Sequence, residues 1–65
     1  MTLVASKNLK KGDRWVDGFG RTNIVYKVIR KRTGFTYIYS YRKTPAQLDF
    51  VKVPHEHMLE RRDDI

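Results

Sequence analysis

Cysteine is absent, so disulfides, thiolate metal sites and cysteine nucleophiles are all excluded, and any core must hold by packing alone. The lack also fits a reducing compartment. No apolar run approaches the roughly 20 residues that cross a bilayer. The opening Met1-Thr2-Leu3-Val4-Ala5-Ser6 has no basic stretch leading into a long apolar one, so a soluble, unprocessed, cytoplasmic chain without membrane contact is expected. Acidic residues are few, seven against 14 lysines and arginines, which leaves a formal charge of +7. That balance favours acidic partners. The 65 residues make one small domain, and a chain of this size buries only about 60% of its unfolded surface, which argues against a large catalytic cleft.

What is present is unevenly placed. From Lys7 to Lys43 there are eleven basic residues and two acidic ones, whereas from Thr44 onward there are three basic and five acidic. Physiological salt screens charge over about 8 Å, so a ligand senses one face of a small domain rather than its average.

Glycine and proline divide the chain into short extended pieces. Lys11-Gly12-Asp13 reads as a turn before a short strand around Arg14-Trp15-Val16, with Trp15 in the core, and Asp17 to Asn23 is a pliant loop with two glycines. Ile24 to Arg30 is rich in β-branched residues, and Phe35 to Tyr41 alternates aromatic and smaller residues at period two, so these form the arms of a hairpin around Lys31-Arg32-Thr33-Gly34. Arg42 to Gln47 is a second connection, and Leu48 to Val53 is a further strand ended by Pro54. His55 to Arg62 reads as one or two helical turns with Met58 and Leu59 tucked against the fold. Residues 1–10 form a basic N-terminal arm, and residues 61–65 form a fraying tail.

Short strands with almost no helix must hide their edges, and at this length a strongly bent, partly closed small barrel of four to five antiparallel strands does so. In its layout, with a Lys-Gly-Asp opening, a glycine-containing loop from Asp17 to Asn23, a central hairpin from Ile24 to Tyr41 and a strand and turn near Pro54, the chain resembles the SH3-like small barrels. The resemblance implies an all-β fold. It does not extend to recognition of proline-rich peptides, because Asp17 is the only carboxylate in the corresponding loop.

The role of Phe35, Tyr37, Tyr39 and Tyr41 depends on the hairpin register. A three-residue bulged turn sets Lys31 opposite Phe35, and Ile29, Lys27 and Val25 opposite Tyr37, Tyr39 and Tyr41. The rings and Lys27 then share one surface on which bases can stack. A four-residue loop changes the parity and puts Tyr26, Val28 and Ile24 on the aromatic face, making the rings core. Arg30, Lys31 and Arg32 at the hairpin tip, with Arg42 and Lys43 at the far end of the strand, bracket this surface with phosphate-binding groups or serve as solvated turns. Phe19, flanked by Gly18 and Gly20 and followed by Arg21, either stacks on a base or partner or folds over the open barrel end. His55-Glu56-His57 reads as a surface turn, since two histidines alternating in direction do not build a metal site, and no metal or other cofactor is expected. No nucleophile, base and carboxylate are persuasively spaced, so an enzyme is not expected.

Two functions fit. In the first, a small basic nucleic-acid-binding protein that favours single-stranded DNA or RNA uses Lys27, Arg30, Lys31, Arg32, Arg42, Lys43 and Arg21 against phosphates and stacks Tyr37, Tyr39 and Phe19 on bases. In the second, a protein-interaction module of regulatory or inhibitory type docks its basic hairpin and Phe19 on an acidic protein.

Overall fold

Residues 2–62 are described by a computed structural model, and they form one antiparallel sheet. Its strands are β1 (Thr2–Ala5), β2 (Arg14–Val16), β3 (Thr22–Arg30), β4 (Phe35–Tyr41), β5 (Asp49–Pro54) and β6 (Met58–Arg62). A single 3-10 turn, Ser6–Asn8, follows β1. The strand order is β1-β6-β2-β3-β4-β5, and no ladder joins β1 to β5. The two ends of the sheet are linked more sparsely, through Ser6: its N–H donates to His57 O at 2.8 Å and its hydroxyl to Pro54 O at 2.7 Å. That accounts for the complete burial of a serine.

The β3–β4 hairpin sets the geometry of everything that follows. Lys31 N–H donates to Phe35 O at 2.8 Å and Gly34 N–H to Lys31 O at 3.2 Å, closing a three-residue turn. Gly34 has φ +96°, a left-handed position that a side chain would strain. Ile29 therefore lies opposite Tyr37, and Lys27 opposite Tyr39. Beyond Lys27 a β-bulge at Tyr26 shifts the ladder, so that Val25 pairs with Ser40 and Ile24 with Tyr41. This corrects the expectation of Val25 beside Tyr41. Its cause is visible in the backbone: Val25 N–H reaches Asp13 O at 2.8 Å, and Gly12 N–H reaches Val25 O at 2.9 Å, which turns the valine side chain inward to 1% exposure.

Leu9, Trp15, Val25 and Ile38 form the core, with Val4, Val28, Val51, Val53 and Leu59 packed around it. Within the expected basic arm, Thr2–Ala5 is β1 and Ser6–Asn8 the 3-10 turn, with Leu9 at 1% exposure and Ala5 at 8%. One terminal expectation is overturned. The helical turn expected after Pro54 is a tight turn, His57 N–H to Pro54 O at 3.0 Å, that leads into β6. Met58-Leu59-Glu60-Arg61-Arg62 is good helix sequence, but β6 lies between β1 and β2 and gains ladder partners on both sides, which outweighs local propensity. The strand count is accordingly six rather than four to five. Arg61 and Arg62 belong to β6, whereas the remainder of the expected tail, residues 63–65, lies outside the described residues.

Candidate nucleic-acid interface

Along β4 the side chains alternate. Thr36, Ile38 and Ser40 point inward and are buried, while Phe35, Tyr37, Tyr39 and Tyr41 point outward and are half-buried. Cross-strand pairing adds neighbours to the outward row: Lys27 and Ile29 from β3, and Phe50 opposite Tyr39 and Lys52 opposite Tyr37 from β5. The rings interlock. Tyr37 and Phe50 stack with centroids 6.1 Å apart, and Tyr39 tilts against Phe50 at 5.7 Å. Lysines lie over these rings: Lys52 Nζ is 4.6 Å from the Phe35 centroid and 6.0 Å from that of Tyr37, and Lys31 Nζ is also 6.0 Å from Tyr37. Such contacts hold an ammonium over the face of a ring while leaving its N–H donors to solvent.

Carboxylates are kept away from this surface. None occupies an outward register position on β3, β4 or β5. Asp13 accepts from Lys10 N–H at 2.9 Å within its own turn. Glu56 holds Lys7 at 2.6 Å, and that hydrogen bond and charge lower its carboxyl pKa. Three lysines thus share the ring-bearing surface without an acidic residue beside them.

The remaining residues anticipated for binding are dispersed. Arg30 pairs with Thr36, on the inward parity, and its guanidinium donates to Lys7 O at 2.9 Å. It therefore leaves the aromatic row. Arg32 stands exposed at the hairpin tip, and Arg42 and Lys43 line a hollow beneath the β4–β5 connection, with Arg42 3.9 Å from Asp49. Phe50 and Lys52 were missed from the sequence. Their signal was the alternation of Leu48, Phe50 and Lys52 against Asp49, Val51 and Val53, which places a ring and a lysine on one side of β5 once β5 pairs with β4.

A second aromatic element stands apart. Phe19 is 84% exposed on the β2–β3 turn, with the Arg21 guanidinium 4.8 Å from its ring centroid. The turn is well braced rather than pliant, because Asp17 sits at its centre. Its Oδ1 accepts from Phe19 N–H at 2.9 Å and Arg21 N–H at 3.0 Å, and its Oδ2 from Arg21 Nε and Asn23 Nδ2, both at 3.3 Å. Burial works against the Asp17 charge, but these donors outweigh it and bring the carboxyl down to about 2. Between this turn and β4–β5 lies a cleft of about 360 Å³ whose lining includes Trp15, Phe19, Arg42, Asp49 and Phe50.

His55 is more than a surface turn residue. Its Nε2 lies 2.9 Å from Lys31 O, which can only accept, so this nitrogen carries the proton. In the neutral ring Nδ1 then accepts from Thr36 Oγ1 at 2.7 Å. With His55 N–H to Gly34 O at 3.0 Å, the imidazole clasps the hairpin tip to β4 and so steadies Lys31 beside Tyr37. Among the described residues no three His, Asp or Glu side chains gather as a cation site, and no helix is long and apolar enough to cross a membrane.

Comparison with protein-family models, curated proteins and solved structures finds no match for this chain. Its surface must be interpreted from its own geometry.

Proposed function

We propose that the chain is a small, non-enzymatic nucleic-acid-binding protein whose outward β3–β5 face takes single-stranded DNA or RNA. One observation carries the reading: the register that sets Lys27 beside Tyr39 and Lys52 beside Tyr37 puts ammonium groups and half-exposed rings on one surface. Bases stack on Tyr37, Tyr39 and Phe50 while Lys27, Lys31 and Lys52 meet phosphates, with Arg32 within reach at the tip. Every base has a flat face, so such a surface tolerates sequence variation, and each stacked base is worth about 1–3 kcal/mol. Single strands are favoured because the described residues offer no recognition helix for a major groove. The molecule measures 31 × 26 × 20 Å, so its opposite faces are screened from one another by more than a Debye length of about 8 Å, and this face acts with its own charge. The proposal extends to an SH3-like arrangement of the six-stranded antiparallel sheet and to a regulatory role in the cytoplasm.

Fluorescence anisotropy of a labelled oligonucleotide tests the reading. For three to five phosphate contacts on a single strand, log affinity should fall against log salt with a slope between about −2 and −3.5. Absence of binding at low salt, about 50 mM, overturns it. A second reading, docking on an acidic protein, is favoured by the 84% exposure of Phe19 on a braced turn. It predicts a stable complex with one protein, which Phe19→Ala weakens more than Lys27→Gln does.

A further inference from the structure

Regular pairing of β3 with β4 has no place for Tyr26. Lys27 pairs with Tyr39 and Val25 with Ser40, which leaves Tyr26 as the extra residue of the bulge. Val25 and Val28 both pack in the core, so the bulge turns two consecutive side chains, Tyr26 and Lys27, to the outside. Strict alternation from Val28 would have pointed Tyr26 inward, yet it is 40% exposed. The backbone bonds that accompany the bulge, Gly12 N–H to Val25 O at 2.9 Å and Val25 N–H to Asp13 O at 2.8 Å, also dock the 10–13 turn against it. Lys11 thereby comes to lie with Nζ 5.3 Å from the Tyr26 ring centroid. A distant part of the chain thus repeats the pairing of ring and ammonium made by Lys52 with Phe35 and by Lys31 with Tyr37.

The pattern of ion pairs separates these lysines from other cations. Lys7, Arg21 and Arg42 each hold a carboxylate, whereas Lys10, Lys11 and Lys27 hold none among the described residues. Asp13, close to them in sequence, gives one oxygen to Lys10 N–H and pairs with neither ammonium. Two routes lead a strand beyond Tyr39. Along β4 it reaches Tyr41 and then Arg42 and Lys43, where the exposed Asp49 carboxylate 3.9 Å from Arg42 opposes a phosphate. Across the sheet it passes from Phe50 over Tyr39 and Lys27 to Tyr26 and Lys11, and meets a further ring and uncompensated charge.

We infer that a bound single strand takes the second route, crossing β5, β4 and β3 and stacking a further base on Tyr26 while Lys11 and Lys10 meet the flanking phosphates. The inference rests on the nucleic-acid reading and adds to it a subsite and a direction. The bulge is then the device that extends the ring-bearing surface past Lys27. The 10–13 turn supports it, because Gly12, at φ +93°, takes a left-handed conformation that lets the turn close against β3. Lys11 is thereby set beside Tyr26 by backbone hydrogen bonds rather than left on a free arm, which lowers the entropy lost when it meets a phosphate.

The experiment measures binding of labelled oligothymidylate by anisotropy over a range of salt, with inorganic polyphosphate as a competitor that carries charge but no bases. Tyr26→Ala, checked for folding by urea denaturation, should weaken the oligonucleotide about tenfold, as loss of one stacking ring does. Tyr26→Phe keeps the ring and should bind as the parent chain does. Lys11→Gln, at an exposed position, should lower the magnitude of the salt slope by about 0.7, whereas Lys43→Gln on the other route should leave it unchanged. Polyphosphate should compete less well against Lys11→Gln and equally well against Tyr26→Ala. If Tyr26→Ala weakens both polymers alike, the ring only positions Lys11 and the stacking subsite is overturned. Parent-like affinity in Tyr26→Ala and slope in Lys11→Gln, or a slope lowered by Lys43→Gln instead, overturns the crossing route and leaves the β3–β5 face standing. No oligonucleotide binding by the parent chain at about 50 mM salt overturns both.

Discussion

Along β4 the inward residues Thr36, Ile38 and Ser40 are at most 3% exposed, whereas the outward Phe35, Tyr37, Tyr39 and Tyr41 remain half-exposed. Two of the three inward side chains are polar and all four outward ones are rings, so hydrophobicity alone would have turned the strand over. The difference shows what chose the register. The three-residue turn at Gly34 fixes the parity locally. Volume agrees with it: a sheet of six short strands must curl closely around Trp15 and Leu9, and small inward residues on β4 allow that approach where four rings would overpack it. Three tyrosine hydroxyls turned inward would also each need a buried partner. Thr36 has one in His55, so inward polarity is satisfied rather than wasted.

The sharpest way to break this comparison is truncation on each side. Ile38→Ala should destabilise the fold by about 2–5 kcal/mol, measured by urea denaturation, because the side chain is fully buried in the core. Tyr39→Ala on the outward side should cost clearly less. Equal losses at the two positions would mean that the rings act as core. A slightly smaller effect is expected from Tyr37→Ala, which should cost about 1–3 kcal/mol of oligonucleotide affinity and leave the fold intact. Thr36→Val, next to it on the inward side, should do the reverse: it removes the hydroxyl that donates to His55 and should lower stability by about 1–2 kcal/mol without weakening the oligonucleotide complex.

The comparison also shows what the sequence could disclose. The all-β class, Trp15 in the core and the hairpin arms were legible from local signals, whereas the parity of the aromatic row stayed open, because Gly34 suits a three-residue turn and a four-residue loop alike. The bulge at Tyr26 was not legible, since it answers to backbone groups of Gly12 and Asp13 that only the fold brings near. β6 was hidden for a related reason. Met58 to Arg62 gains its strand conformation from β1 and β2, one on each side, and nothing within the segment announces them. For the proposed binding surface, Lys27, Lys31, Tyr37 and Tyr39 could be set together only under one of the two hairpin registers, whereas Phe50 and Lys52 required the pairing of β5 with β4. Arg30 was misplaced because charge clustering at a tip says nothing about which side of a strand each residue takes.

Lys52 sharpens the outward half at a smaller scale. Its ammonium lies over two rings, so Lys52→Gln should reduce the magnitude of the salt slope by about 0.7, the loss of one phosphate contact on a single strand. Arg30→Gln, on the inward parity and turned to Lys7 O, should leave the slope unchanged. Matching slope changes at the two positions would dissolve the distinction between the faces.

The smallest effect belongs to the open end of the inward side, where Asn23, 7% exposed, donates to Asp17. The folded carboxyl lies at about 2, below the roughly 3.9 of an unfolded aspartate, so the stability it contributes is complete above about pH 4 and is lost as pH falls through the folded value. Urea midpoints measured between pH 5 and pH 2 should decline over that window, and less steeply in Asp17→Asn. The Phe19 and Arg21 amide resonances should titrate with the same low midpoint, because both N–H groups donate to Oδ1. The outward tyrosine resonances should not follow it. If they did, the turn and the ring-bearing face would be one coupled unit, and Phe19 and Tyr39 could no longer be treated as separate surfaces.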